Sequence, residues 1–99
     1  MLQLGRKFMN FYLGLFSNRT ETLDFAKKLK SYRIDNSVVA VPKGVGSSCG
    51  VCVKIPGNQF VAATKVLKAN RYATFLGFYE ALTVNGGAYE YRKVSFYNV

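Results

Sequence analysis

The residue pattern predicts an α+β fold in which an antiparallel sheet carries two helices on one face. Three observations lead there. Short apolar strands alternate with amphipathic helical stretches in a chain of 99 residues, which is room for a single domain, 1–99. The order reads strand, helix, strand, strand, helix, strand, so each half is a βαβ unit. After Tyr72 the pattern returns to strand, and Asn85-Gly86-Gly87 splits two such runs with a strong hairpin signal.

Asn10–Phe16 (NFYLGLF) predicts the first strand, with Phe11, Leu13 and Leu15 on one face and Tyr12 and Phe16 on the other. Ser17 or Asn18 supplies an N-cap oxygen, and Glu21 and Asp24 stand in the first turn, where the helix dipole favours anions. That helix is expected from about Thr20 to Arg33. Leu23, Ala26 and Leu29 form its apolar stripe, with Phe25 and Tyr32 on a neighbouring row. Ser37–Val41 predicts a second strand, stopped by Pro42 and the run Gly44–Ser48. A third strand spans about Cys49–Ile55 and ends at Pro56-Gly57. Asn58 then caps a second helix that runs to about Ala69, with Phe60, Ala63, Val66 and Leu67 inward and Asn70 as a left-handed terminator. Thr74–Val84 and Ala88–Tyr97 are the arms of the last hairpin.

This β-α-β-β-α-β order predicts a ferredoxin-like sandwich with an additional C-terminal β-hairpin strand. The alternative is another α+β topology with the hairpin packed elsewhere. Val51, Val53 and Ile55 should face the helices, and Cys52 and Lys54 the opposite side, joined there by Tyr12, Phe16 and tyrosines of the hairpin. A half-apolar open face in so small a domain points to a partner site, and a homodimer is expected.

An apolar share of 49% is ample for a core. A chain of this size buries roughly 60–65% of its unfolded surface, enough to fold without disulfides or metal. Met1–Phe8 carries Arg6 and Lys7 without a following apolar stretch, so no secretory signal is expected and the first eight residues read as a disordered lead-in. The expected compartment is the cytoplasm, where cysteines are usually thiols. The formal net charge is +9, from 14 Lys and Arg against five acids, with no His. Such a balance invites nucleic acid, an acidic protein or an anionic ligand as partner.

Residues suited to covalent chemistry sit in Pro42–Ile55 (PKGVGSSCGVCVKI). Cys49-Gly50-Val51-Cys52 has the spacing of a redox dithiol, but those motifs open a helix and this one opens a strand. Residues three apart on a regular strand point to opposite faces, so an intrachain disulfide would need a bulge at Gly50. Two cysteines and no His make zinc a matter of a site shared across a dimer. Cys52 reads as a small hydrophobe on a strand, or else as a resolving thiol. Cys49 differs, because it stands where loop becomes strand. The amides of Ser48, Cys49 and Gly50 can converge as an anion-holding nest, and Lys43 is near in sequence. These features lower a thiol pKa and expose the sulfur.

A strand ending in Val41-Pro42, a short loop, then Ser47-Ser48-Cys49-Gly50 opening another strand resembles the small bacterial family described as putative selenium/sulfur carrier-like proteins. Phe16-Ser17, Lys28-Leu29 and Ile34 fit the same pattern, and the likeness covers about Phe11–Ile55. The resemblance implies a cytosolic protein whose Cys49 carries sulfur or selenium as a persulfide or perselenide. Lys43, Ser47, Ser48 and Gly50 would support the thiolate. Cys52, the basic surface and the tyrosine-rich hairpin depart from the family pattern.

Without His, Ser-His-Asp and Cys-His arrangements are excluded. The acids Glu21, Asp24, Asp35, Glu80 and Glu90 are scattered, and Gly44–Gly50 lacks the Gly-Lys-Ser/Thr end of a phosphate loop. A conventional enzyme is not expected, nor is a cofactor or a membrane partner. Two readings stand. One is a carrier that passes sulfur or selenium between partner proteins through Cys49. The other is a binding module that uses its basic, aromatic surface for nucleic acid or an acidic protein. For the second, Tyr89, Tyr91, Phe96 and Tyr97 interleave with Arg92 and Lys93 as a base-stacking strand would, although the Gly-Phe/Tyr-Gly/Ala-Phe signature of RRM modules is missing.

Overall fold

The sheet is built outward from β1, Phe11–Phe16, an apolar segment flanked on both edges. A computed structural model describes residues 10–46, 49–84 and 88–94. After β1 come helix α1 (Arg19–Ser31), β2 (Ser37–Ala40), β3 (Val51–Pro56), a 3₁₀ turn (Gly57–Gln59), helix α2 (Phe60–Asn70), β4 (Phe75–Thr83) and β5 (Tyr89–Val94). The strands form one five-stranded sheet in the order β2-β3-β1-β4-β5, and every neighbouring pair is antiparallel. It follows that β1 and β2, joined through α1, are parallel and lie either side of β3. Likewise β3 and β4, joined through α2, are parallel and lie either side of β1. Strand β5 extends the β4 edge, in register from Phe78↔Val94 to Thr83↔Tyr89.

The helices cover one face of the sheet. Phe16, Phe25, Leu29, Val53, Ile55, Phe60, Leu67 and Phe78 are buried between the layers. On the other face Leu13, Leu15, Cys52 and Val45 form a smaller buried group. Val53 and Ile55 therefore face the helices, and Cys52 faces away, as the alternation in β3 predicts.

Strand β1 sits the other way up from the expectation. Tyr12 stacks on Phe60 at 3.8 Å between ring centroids, and Phe16 packs against Phe25, Tyr72 and Phe75, so both face the helices. Gly14 explains the phase. It shares their face, and a Cβ there would stand 3.1 Å from the Phe78 ring, so the absent side chain makes room for that ring. Leu13 and Leu15 then fill the opposite face. Because β1 is apolar on both sides, alternation alone supplies no sign.

Asn18 begins α1, its side chain accepting from the Glu21 N–H at 3.0 Å. The buried stripe is Thr22, Phe25, Ala26 and Leu29, whereas Leu23 and Tyr32 are exposed. The expected stripe was thus rotated by one residue at its head. At α2 the expected inward residues Phe60, Ala63, Val66 and Leu67 are buried, but Asn58 lies in the 3₁₀ turn and Gln59 precedes the helix without a side-chain cap. The left-handed residue is Arg71 (φ 49°) and not Asn70, which instead ends the helix by donating its amide to the Val66 carbonyl at 2.7 Å.

The β2–β3 connection starts with a turn closed by Val45 N–H to the Pro42 carbonyl at 3.3 Å, and Gly44 takes φ +89° there. This turn places Val45 over the sheet face that the helices leave open. The expected disordered lead-in, the Asn85-Gly86-Gly87 turn, and Phe96 and Tyr97 lie outside the described residues.

Candidate functional site

Cys49 stands just before β3, where Val41 N–H donates to the Gly50 carbonyl at 3.1 Å and closes the β2–β3 ladder. The third strand therefore begins at Val51, two residues later than the pattern suggests. Gly50 takes φ +98°, a conformation open to glycine, and a Cβ there would meet nothing within 4 Å. The bend turns the half-buried Cys49 side chain to the first turn of α1. Its Sγ lies 3.5 Å from the Thr22 hydroxyl, with either atom able to donate, and 3.6 Å from the Val51 carbonyl.

The first turn of α1 is held in place from the far side. Glu21 accepts from the Thr74 N–H at 2.9 Å, the Thr74 hydroxyl at 2.7 Å and the Ala73 N–H at 3.3 Å. Tyr72 donates its hydroxyl to Asp24 at 2.6 Å, and Lys28 pairs with the same carboxylate at 3.0 Å. These bonds tie the α2–β4 connection to α1 and fix the turn that presents Thr22. Thr22 is fully buried and also donates to the Asn18 carbonyl at 3.0 Å.

Two opposed influences act on the Cys49 thiol. Burial pushes its pKa up, but the Thr22 hydroxyl, backbone hydrogen bonding at Val51 and Cys49, and the Arg19 charge together leave it below the ordinary thiol value. The positive end of the α1 dipole acts in the same sense. The Cys52 thiol goes the other way, pushed up to about 11 by burial and then by Cys49. Both cysteines are free.

The expected site residues divide accordingly. Cys49 and Gly50 are together at the bend, while Cys52 is buried on the sheet face away from the helices. Lys43 is exposed in the loop, and the cation acting on Cys49 is Arg19. Ser47 and Ser48, and with them the expected amide nest, lie outside the described residues. Thr22 and Arg19 were not foreseen. The available signal was a threonine at the head of an apolar stripe spaced 22, 25, 26, 29, since a hydroxyl there must be buried and find a partner.

Among the described residues no group of three or more Cys, Asp or Glu side chains is gathered to hold a metal ion. No helix of the described residues is long and apolar enough to cross a membrane. Neither a curated protein nor a solved structure matches the chain significantly. A family model does match, over residues 11–80, a span that includes Cys49, its partner Thr22 and all of the first four strands except the end of β4. The chain belongs to the family described as putative Se/S carrier protein-like.

Proposed function

We propose that this protein holds sulfur or selenium on Cys49 and passes it between partner proteins, acting as a carrier and not as an enzyme that turns over a metabolite. The observation that carries the reading is the Cys49 thiol set against the first turn of α1, with its pKa lowered, inside the span that matches the family. Loading is a sulfane exchange. The Cys49 thiolate attacks the outer sulfur of a donor persulfide R–S–SH, forming Cys49–S–SH and breaking the donor S–S bond, so that R–S⁻ leaves. An acceptor thiolate then attacks the same outer sulfur and returns Cys49 as thiolate. Selenium follows the identical course from R–S–SeH. Neither exchange consumes an external oxidant or reductant.

Each neighbour has a part. Thr22 holds one hydroxyl proton, given to the Asn18 carbonyl when sulfur is protonated and available to the sulfur when it is ionised. The Asn18 carbonyl keeps the Thr22 N–H at 3.1 Å in either state. Arg19 offsets the negative charge, and the side-chain-free bend at Gly50 admits the donor. Lys43, Ser47 and Ser48 are the further residues proposed to support the thiolate. The burial and raised pKa of Cys52 support a packing role over that of a resolving thiol.

The architecture we infer is ferredoxin-like, supported by the β2-β3-β1-β4 order and its two interleaved crossovers, with β5 added at the edge. The proposed setting is the cytoplasm, where two free cysteines stay reduced. The test is intact mass after exposure to a small-molecule persulfide, with Cys49→Ser and Cys52→Ser beside the parent chain. A single-sulfur adduct on the parent and on Cys52→Ser, absent from Cys49→Ser, is expected. An adduct that survives in Cys49→Ser removes Cys49 from the role.

A further inference from the structure

The sheet face turned away from the helices carries a feature that the carrier reading does not use. Val45 covers only part of that face. At the start of β1 a cleft of about 420 Å³ opens, lined by Asn10, Phe11, Asp35, Ser37, Lys54 and Tyr89 among others. The Lys54 ammonium stands 4.4 Å above the Phe11 ring centroid, and Tyr89 meets Phe11 edge-on at 5.0 Å. Tyr89 is 40% exposed, although it is a large aromatic residue in a strand.

Along β5 the same face continues. Tyr89 and Tyr91 have ring centroids 6.3 Å apart, and Lys93 follows two residues on. Its side chain lies across the sheet, with Cε 2.7 Å from where a Cβ of Gly77 would stand. Aromatic rings and lysines thus share a surface that runs from β1 to the edge strand.

We infer that this cleft and the β5 track bind single-stranded nucleic acid, with a base stacked on the exposed ring of Tyr89 and phosphates along Lys54 and Lys93. The chemistry selects that ligand over other anions. Ring faces add nothing for an acidic peptide, whereas every base has a π-face to offer. Asp35 in the cleft wall can accept from the exocyclic amine of a base, which an acidic side chain does not offer. A duplex keeps its bases stacked internally and cannot offer them to Tyr89. The formal charge of +9 supplies the long-range attraction. Cys49 lies on the helix side of the sheet, so the inference stands independently of the carrier reading.

The experiment is fluorescence anisotropy with an RNA of about eight nucleotides, a length that small single-strand binding folds cover, across a salt series. The parent chain is expected to bind the single strand more tightly than the matching duplex or poly-glutamate. Tyr89→Ala is expected to weaken binding about tenfold, and Lys54→Ala to lessen the salt slope by about 0.7. Lys65→Ala removes an equal charge from α2 and should act more weakly than Lys54→Ala, while Cys49→Ser should bind like the parent. Circular dichroism melts establish that each variant is folded. No binding at low salt overturns the inference. So does equal affinity for duplex or poly-glutamate, or a Tyr89→Ala chain that binds like the parent.

Discussion

Thr22 is where the environment of Cys49 is most open to a single substitution. Valine has nearly its shape but no hydroxyl, so Thr22→Val removes the donor to the sulfur and leaves the backbone bond to Asn18 intact. The Cys49 pKa should then rise, and alkylation at neutral pH should slow several-fold, since a hydrogen bond to a charged group contributes about 1.5–3 kcal/mol. Thr22→Ser should restore the rate. Iodoacetamide kinetics across a pH series measures both effects, and an unchanged profile in Thr22→Val would remove the hydroxyl from the account. For the parent chain the rate should climb with pH and level off once the thiol is ionised. Because the folded pKa is lowered, Cys49 should reach that plateau at a lower pH in the native protein than in urea.

At the scale of elements, the contact between β1 and the helices turns on Gly14. Placing a methyl group 3.1 Å from the buried Phe78 ring overpacks the core, so Gly14→Ala should lose about 1–3 kcal/mol in a urea titration. A stability equal to the parent would mean that the ring has room to retreat. The clamp between α1 and the α2–β4 connection has a different signature. Glu21 has its pKa lowered, first by the Thr74 hydroxyl and then by the Thr74 N–H, and Asp24 is lowered first by Tyr72 and then by Lys28. A depressed carboxyl pKa stabilises the fold fully above the unfolded value and loses that contribution as pH falls through the folded value. Melting temperature should therefore drop on acidification through and below the ordinary carboxylate range, and Glu21→Gln should melt lower at neutral pH with a shallower acid dependence. A variant with the parent's slope would show that the clamp does not set it.

Taken whole, the molecule divides its sheet between two environments. One face is a helix-covered core. The other is part core, beneath Val45, and part exposed aromatic and basic surface. Val45 is the chain's own cover over Leu13, Leu15 and Cys52. Val45→Ala removes two carbon groups, roughly 1.5 kcal/mol at 0.8 per buried CH₂, and should let thiol reagents reach Cys52 measurably faster. If Cys52 labelling does not change, other residues shield it. The expected homodimer drew on a half-apolar open face, and part of that face is already occupied from within. Light scattering across concentration reports whether the remainder pairs two copies.

The order of elements was legible from the residues because strand and helix impose different periods, and the Gly, Pro and Asn stops between them are local in cause. The phase of β3 was legible too, since Lys54 cannot lie beneath the helices and alternation then turns Val53 and Ile55 toward them. Cys49 could be singled out because loop glycines and a thiol stood together. What the residues alone determined was thus the sequence of elements, and they singled out Cys49 as the sulfur proposed to carry the chemistry. The tertiary structure decided the facing of β1, which has apolar side chains on both sides and a phase set by Phe78 packing against Gly14. It also decided which groups act on the sulfur: Thr22 and Arg19 are about 30 residues distant from Cys49 in the chain and meet it only because the β2–β3 hairpin delivers the bend to the first turn of α1. Periodicity reports a residue's local face. The neighbour across that face is settled only when the layers close.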